Sequence, residues 1–95
     1  MNKYRLSNIA KEDLIRIHQF GVKKFGIKQA DKYFNSFFDH FELIAKRPYS
    51  FEAVDYIKPG YRRCICGVDS IYFRTNAEWV EIMAIVGRQD LDQLL

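Results

Sequence analysis

The sequence predicts an α+β domain in which an antiparallel hairpin of two helices packs on a mainly antiparallel, four-stranded sheet. Residues 9–46 repeat apolar side chains every three or four positions, as amphipathic helices do. Residues 61–86 instead form short apolar or alternating runs that are broken by turn residues, as strands do. A chain of 95 residues is large enough for one core and too small for two, so we expect a single domain over residues 1–95.

The first element is a short strand over residues 3–6, followed by the first helix. Ser7 and Asn8 end the strand, and both residue types are good helix N-caps. Gly26 supplies a C-terminal cap for the helix that begins near Ile9. The apolar stripe expected to face inward consists of Leu14, Ile17, Gly21 and Phe25.

A second helical pattern starts within two residues of Gly26 and ends at Arg47 and Pro48. Two helices joined so tightly must form an antiparallel hairpin. The second helix is rich in phenylalanine, and an apolar face this wide predicts a helix laid across a sheet. Its apolar positions are Ala30, Tyr33, Phe34, Phe37, Phe38, Phe41, Ile44 and Ala45.

The rest of the chain reads as a connection, three strands and a tail. Residues 49–60 show no periodic pattern and close with a turn signal, which predicts a surface connection. Strands are expected over 61–66, 70–75 and 79–86, with turns at 67–69 and 76–78, and the order is then β-α-α-β-β-β. The last strand is apolar almost throughout, as expected for a strand covered on both faces or nearly so, and should lie centrally in the sheet. Residues 89–95 predict a short C-terminal helical turn.

Composition indicates a cytoplasmic protein. Apolar runs are far shorter than the roughly 20 residues that span a bilayer, and the N-terminus lacks the apolar region of a signal peptide, so no membrane partner is expected. Cys64 and Cys66 do not resemble a secreted disulfide framework. Residues 1–46 carry nine Lys/Arg against five Asp/Glu, an excess that supports weak attraction to anionic partners and no sequence-specific binding of nucleic acid.

No catalytic or metal-binding group stands out. His18 and His40 both fall within predicted helices and away from any nucleophile, so we expect packing roles. The pair Cys64 and Cys66 lacks a second pair of soft ligands, which leaves no metal site and no cofactor expected. Alternation places both thiols on the same strand face as Arg62, packed beneath the helices.

Arginines in the strand-forming half leave two interpretations open. They could converge on an anion site in which Tyr61 or Tyr72 stacks on a nucleic-acid base, or they could be solvated charges at strand ends. These arginines are Arg62, Arg63, Arg74 and Arg88. The C-terminal leucines, Leu91, Leu94 and Leu95, could likewise cover the core or form an exposed docking element.

Several local strings, in this order, resemble the ParE branch of the RelE/ParE toxin superfamily. They are Tyr4-Arg5-Leu6-Ser7, Ala10-x-x-Asp13-Leu14-x-x-Ile17, Phe25-Gly26 with Gln29-Ala30, Ala45-x-Arg47-Pro48, Gly60-Tyr61-Arg62-Arg63, Ile71-Tyr72-Phe73 and Ile82-x-x-Ile85-x-Gly87-Arg88-Gln89-Asp90. The resemblance implies the toxin of a type II toxin–antitoxin pair. A ParD-like antitoxin would cover it in a hetero-oligomer, and the free toxin would poison DNA gyrase.

Two departures from the wider superfamily bear on catalysis. Where many relatives carry histidine, this chain has Asp69 in the middle hairpin and Gly87 near the end of the last strand. Glycine has no side chain to move a proton, so we expect binding and no enzymatic activity; Asp69 reads as an ordinary turn residue. The alternative function is that of a RelE-like, ribosome-dependent mRNA endonuclease that uses the four arginines and a tyrosine.

Two sets of residues are predicted to carry the binding function. The target surface would comprise Arg62, Arg63, Arg74, Arg88, Asp90, Leu91, Leu94 and Leu95. An antitoxin helix would lie along the hairpin on apolar positions left over from the inward stripe, Ile15 and Phe20.

Overall fold

Five strands and two long helices make up residues 3–87, the part of the chain that the structure, a computed structural model, describes. In chain order they are β1 Tyr4–Leu6, α1 Asn8–Phe25, α2 Ile27–Lys46, β2 Glu52–Ala53, β3 Arg62–Cys66, β4 Asp69–Thr75 and β5 Val80–Gly87, with a 3₁₀ turn at Pro48–Ser50 between α2 and β2. The helical turn expected over residues 89–95 lies outside the described residues.

The strands form one sheet in the order β1-β5-β4-β3-β2. β1 runs parallel to β5, and every other pair is antiparallel, so the predicted α+β class and topology are confirmed. β5 lies inside the sheet, as its apolar sequence predicted. The sheet has one strand more than expected, because β2 pairs two residues with Arg62 and Arg63 at the sheet edge. The sequence could not reveal β2, because a strand of two residues is too short to show the alternation of inward and outward side chains.

Local capping chemistry sets the ends of α1. The Ser7 side chain accepts a hydrogen bond from the Ala10 N–H at 3.0 Å and donates to the Met83 carbonyl at 2.8 Å, so the cap also ties α1 to β5. At the other end, Gly26 adopts φ +91°, which glycine reaches without strain. Its N–H bonds to the Val22 carbonyl, and α2 begins at the next residue.

The main core lies between the helices and one sheet face. Phe37, Phe41 and Ile44 of α2 are fully buried against strand side chains such as Ile71 and Ile82. The predicted inward stripe of α1 is wrong at its last member. Phe25 is 63% exposed because it is the final residue of α1, where the tight turn carries the ring away from the sheet.

A second, smaller core covers the opposite sheet face. Val54 and Tyr61, from the segment between β2 and β3, are buried with Tyr72 of β4. The Val54 N–H donates to the Tyr61 carbonyl at 2.8 Å, which folds the segment back over the sheet. The connection predicted over residues 49–60 is therefore partly a lid on this outer face.

Side chains of α1 close the edge of β5 where β1 ends. β1 covers only Val80 to Ile82. Beyond that point Asp13 accepts a hydrogen bond from the Ile85 N–H at 2.9 Å, and Arg16 donates to the Ile85 carbonyl at 3.4 Å. These contacts satisfy edge groups that would otherwise be open to another strand. No helix within residues 3–87 combines the length and the apolar character needed to cross a membrane.

Candidate functional site

Arg62 lies on the helix-facing side of β3, close to the 3₁₀ turn. Its Nη1 donates to the Phe51 carbonyl at 2.7 Å, and its guanidinium lies 5.1 Å from the centre of the Tyr49 ring. The side chain is half-buried, and Tyr49 is exposed. Arg62 is thus held against an aromatic ring at the sheet edge.

Arg63 and Arg74 point to the opposite, outer face. Arg63 Nε donates to Glu52 Oε1 at 2.6 Å, and Arg74 Nε donates to Glu81 Oε1 at 3.1 Å. Each arginine is therefore paired with a carboxylate on the neighbouring strand. Of the predicted target surface, the structure brings Arg63 and Arg74 to one face and Arg62 to the other. Arg88, Asp90, Leu91, Leu94 and Leu95 lie outside the described residues.

The two tyrosines considered for base stacking belong to the outer core. Tyr72 is fully buried and Tyr61 nearly so. A stacked base needs a free ring face, so the open interpretation in which either ring stacks on a base is contradicted. Tyr56 is exposed instead, with its hydroxyl 3.4 Å from Arg63 Nη2. Sequence reasoning missed Tyr49 and Tyr56 because both lie in the unpatterned segment after Pro48.

Asp69 and Gly87 are direct partners in the sheet register of β4 and β5. Asp69 is not the ordinary turn residue that the sequence indicated, since it begins β4 and is buried, only 7% exposed. The Tyr33 hydroxyl of α2 lies 2.7 Å from Asp69 Oδ2 and 2.9 Å from the Cys66 carbonyl, and these two acceptors share its single proton. Burial, followed by the hydrogen bond to Asp69, raises the pKa of Tyr33.

The histidines and cysteines have packing roles. His18 bonds to Asp31 at 2.7 Å, and His40 lies 2.7 Å from the Ser36 carbonyl; within residues 3–87 neither imidazole bonds to a hydroxyl or a thiol. Cys64 and Cys66 are buried beneath the helices, as predicted. Burial, with a smaller effect of Cys66, raises the pKa of Cys64 to about 11, so this thiol stays protonated at neutral pH.

A shallow groove runs between the two helices on their solvent side. It has a volume of about 360 Å³ and is lined by His18, Asp31, Phe34 and Asn35. The His18–Asp31 bond crosses from one helix to the other, and the His18 and Phe34 rings meet edge to face at 5.3 Å. The groove thus combines one aromatic side chain with three polar ones.

The predicted antitoxin contacts, Ile15 and Phe20, are both exposed on α1 but lie on different flanks. Ile15 is one turn before His18 and therefore lies on the groove side. Phe20 is one turn after Arg16, whose guanidinium reaches β5. Five residues of α-helix turn through about 500°, which leaves the two side chains roughly 140° apart.

Comparison with known proteins gives consistent results. A family model described as ParE toxin of the type II toxin–antitoxin system parDE matches residues 4–91. Toxin ParE1 of Caulobacter vibrioides is 33% identical over 86 residues, which cover 90% of this chain and 88% of that protein. Toxin ParE1 of Mycobacterium tuberculosis is 27% identical over 96 residues, covering 99% of this chain and 98% of that protein. A solved structure titled as the chromosomal ParDE TA system from P. aeruginosa superposes with a TM-score of 0.81 at 19% identity, covers 92% of this chain and 96% of the other, and shows the same fold.

Proposed function

The chain belongs to the ParE toxin family of type II toxin–antitoxin systems, and on that basis we propose that it inhibits DNA gyrase by binding and is neutralised by a ParD-like antitoxin. Gyrase and an antitoxin that captures the toxin before it reaches gyrase would both be cytoplasmic, so we place the protein in the cytoplasm. One observation favours binding over catalysis: Asp69 is buried and bonded to Tyr33, and its register partner Gly87 has no side chain.

RNA cleavage on this fold needs groups that take a proton from a 2′-hydroxyl and give one to a leaving oxygen. At the register pair where relatives carry histidine, Gly87 offers no side chain, and the Asp69 carboxylate is buried and bonded to Tyr33. The arginines that could hold a phosphate also have partners already, because Arg63 and Arg74 are paired with glutamates. These features support a protein that acts through its surface.

The target surface is proposed to centre on two aromatic–arginine pairs beside β3, together with Arg74 and the C-terminal residues named above. Tyr49 contacts Arg62, and Tyr56 contacts Arg63, and both rings are exposed. Tyrosine and arginine are among the residue types most enriched at the energetic centres of protein interfaces. Tyrosine buries a large area with only two side-chain torsions, and arginine offers a planar fork of hydrogen-bond donors. Each pair presents an aromatic ring beside an arginine that the sheet edge already holds in place.

Purified chain incubated with gyrase, relaxed plasmid and ATP tests the proposal. We expect loss of supercoiling or accumulation of cleaved plasmid, and we expect the same chain premixed with its antitoxin to be inactive. Tyr56→Ala should weaken inhibition, whereas Glu12→Ala, a change at an exposed position of α1 away from both pairs, should not. Unaffected gyrase at micromolar toxin, with discrete cuts in ribosome-bound message after induction, would favour the endonuclease instead.

Antitoxin capture is proposed to use the groove between the helices. An amphipathic helix in this groove would lie against Phe34 and reach Ile15 on its rim, while Phe20 would be reached only by a segment that crosses over α1. Ile15→Asp should weaken antitoxin binding, because a desolvated carboxylate has no partner there. Phe20→Asp is the matched variant on the other flank. Titration calorimetry of the antitoxin into both variants distinguishes a helix in the groove from a segment that crosses over α1. Unchanged affinity in both variants would refute antitoxin binding at this part of the hairpin.

A further inference from the structure

The tip of the helix hairpin concentrates positive charge. Four of the eight lysines fall between residues 23 and 32, at the end of α1 and the start of α2, and all four are exposed. They are Lys23, Lys24, Lys28 and Lys32. Among residues 3–87 every ion pair uses an arginine or a histidine as the cation, so these lysines have no carboxylate partner. The one acid in this stretch, Asp31, is bonded to His18.

The turn at Gly26 brings the lysines of both helices to one end of the molecule. α1 ends at Phe25 and α2 begins at Ile27, so a single residue separates the helices. Lys28 and Lys32 follow one turn apart on α2, about 6 Å along the axis. The result is one end of the helix hairpin that carries four positive charges, none of which lines the groove between the helices.

Exposed apolar side chains accompany the charges. Phe20, Phe25 and Ile27 are 59%, 63% and 60% exposed. The Lys24 ammonium lies 5.5 Å from the Phe20 ring centre and 5.7 Å from the Phe25 ring centre, which positions the charge over both rings. Inserting these rings into a bilayer would bring the Lys24 ammonium with them. An anionic surface can instead contact the lysines while the Lys24 ammonium stays in water, so no charge has to be buried.

We propose that the hairpin tip binds the phosphate backbone of duplex DNA without reading its sequence. Duplex DNA presents one negative charge per about 1.7 Å of helix axis. At that charge density, four neighbouring lysines without carboxylate partners can contact several phosphates at once. Lysine suits this role because it acts as a flexible point charge and imposes no bidentate geometry. The inference goes beyond gyrase inhibition and is independent of it, because the binding would be measured on free DNA.

Fluorescence anisotropy with a short labelled duplex of arbitrary sequence tests the proposal. If the four lysines each contact a phosphate, the logarithm of affinity should fall with the logarithm of salt concentration with a slope of about −3 to −4 between about 0.05 and 0.2 M salt. The quadruple variant K23Q/K24Q/K28Q/K32Q should lose most of that slope and at least about tenfold in affinity at the lower salt concentration. The control K3Q/K11Q/K46Q/K58Q removes the same charge from exposed lysines elsewhere and should keep most of both.

Four results would overturn the proposal. A wild-type slope shallower than about −1 would mean that fewer than two phosphates are engaged. Equal losses in the two quadruple variants would assign the effect to net charge and not to the tip. Binding of the wild type to vesicles of anionic lipid but not to DNA, or a loss of antitoxin affinity in the tip variant with DNA binding unchanged, would assign the tip to another partner. Gyrase inhibition measured on the same variants reports separately on the proposed function.

Discussion

Replacing Tyr33 by phenylalanine isolates one hydroxyl that serves two buried acceptors. The hydroxyl lies 2.7 Å from Asp69 Oδ2 and 2.9 Å from the Cys66 carbonyl. The ring itself packs edge to face against Phe37 with centroids 5.0 Å apart, and phenylalanine keeps that contact. The variant therefore removes a donor and leaves the packing in place.

The expected loss follows from what remains behind. A buried acceptor that loses its donor costs about 1–3 kcal/mol, with charged groups at the upper end, and Asp69 is a carboxylate. We expect Tyr33→Phe to lower the free energy of unfolding by about 2–3 kcal/mol. In a domain of this size each kcal/mol corresponds to roughly 4–8 °C in melting temperature, so the change is easily measured.

Urea unfolding monitored by circular dichroism measures this change in the free energy of unfolding. An unchanged slope of free energy against urea concentration shows that wild type and variant undergo the same transition. Tyr49→Phe is the matched control, because this exposed hydroxyl lies 3.5 Å from Thr75 and should contribute less than about 0.5 kcal/mol. A double-mutant cycle with Asp69→Ala should give a coupling of about 0.5–3 kcal/mol. A Tyr33→Phe variant as stable as the control, or no coupling to Asp69, would refute the reasoning.

Four further outcomes follow from the same structure. Gly67→Ala should destabilise the fold by about 1–3 kcal/mol, because φ is +59° and the added Cβ would lie 2.6 Å from the Tyr33 ring. Gly60→Ala is the control, since its added Cβ meets no atom within 4 Å and should cost less in the same urea assay. Cys64 should react slowly with a thiol reagent in the native state and rapidly once unfolded, since burial raises its pKa to about 11. Asp13→Ala should cost about 1–3 kcal/mol by leaving an amide of β5 without its acceptor, and native-state hydrogen exchange at that amide would report the loss. Because the pKa of Tyr33 is raised in the folded state, the unfolded chain loses this proton at lower pH than the folded chain does. The stabilisation from this group should therefore be fully present below about pH 10 and decrease above it. In unfolding titrations at increasing pH, Tyr33→Phe should show a smaller decrease in stability than the wild type.

Sequence reasoning succeeded where the signal is local. Ser7 and Gly26 fix helix ends through bonds within three or four residues, and the spacing of phenylalanines in α2 directly reports which face is buried. It was wrong at Phe25, because periodicity continues to the last residue of a helix whether or not a sheet lies beneath it. It also missed β2, whose two residues are strand only because β3 lies beside them.

The candidate site was harder to predict because its contacts join distant parts of the chain. Alternation correctly placed Arg62 and Arg63 on opposite faces, but nothing local indicates that Arg63 pairs with Glu52 across the sheet edge. Asp69 looked like a turn residue because its partner, Tyr33, is 36 positions away on α2. Ile15 and Phe20 were both correctly expected to be exposed, yet their separation around α1 becomes important only once the groove is located on one flank.

The register pair of Asp69 and Gly87 shows how one fold can carry either catalysis or binding. Residues directly opposite on adjacent strands have Cβ atoms about 4.5–5.5 Å apart, so two histidines at these positions, as the superfamily resemblance implies for the nucleases, would be brought together by the sheet alone. In this chain the same positions hold a glycine and a carboxylate that faces the helices, where Tyr33 bonds to it. Tyr33 therefore makes this end of the sheet part of the core, and the chemistry available there is set by the side chains and not by the fold. The binding proposed above for the exposed sheet edge and the hairpin requires no chemistry from this buried position.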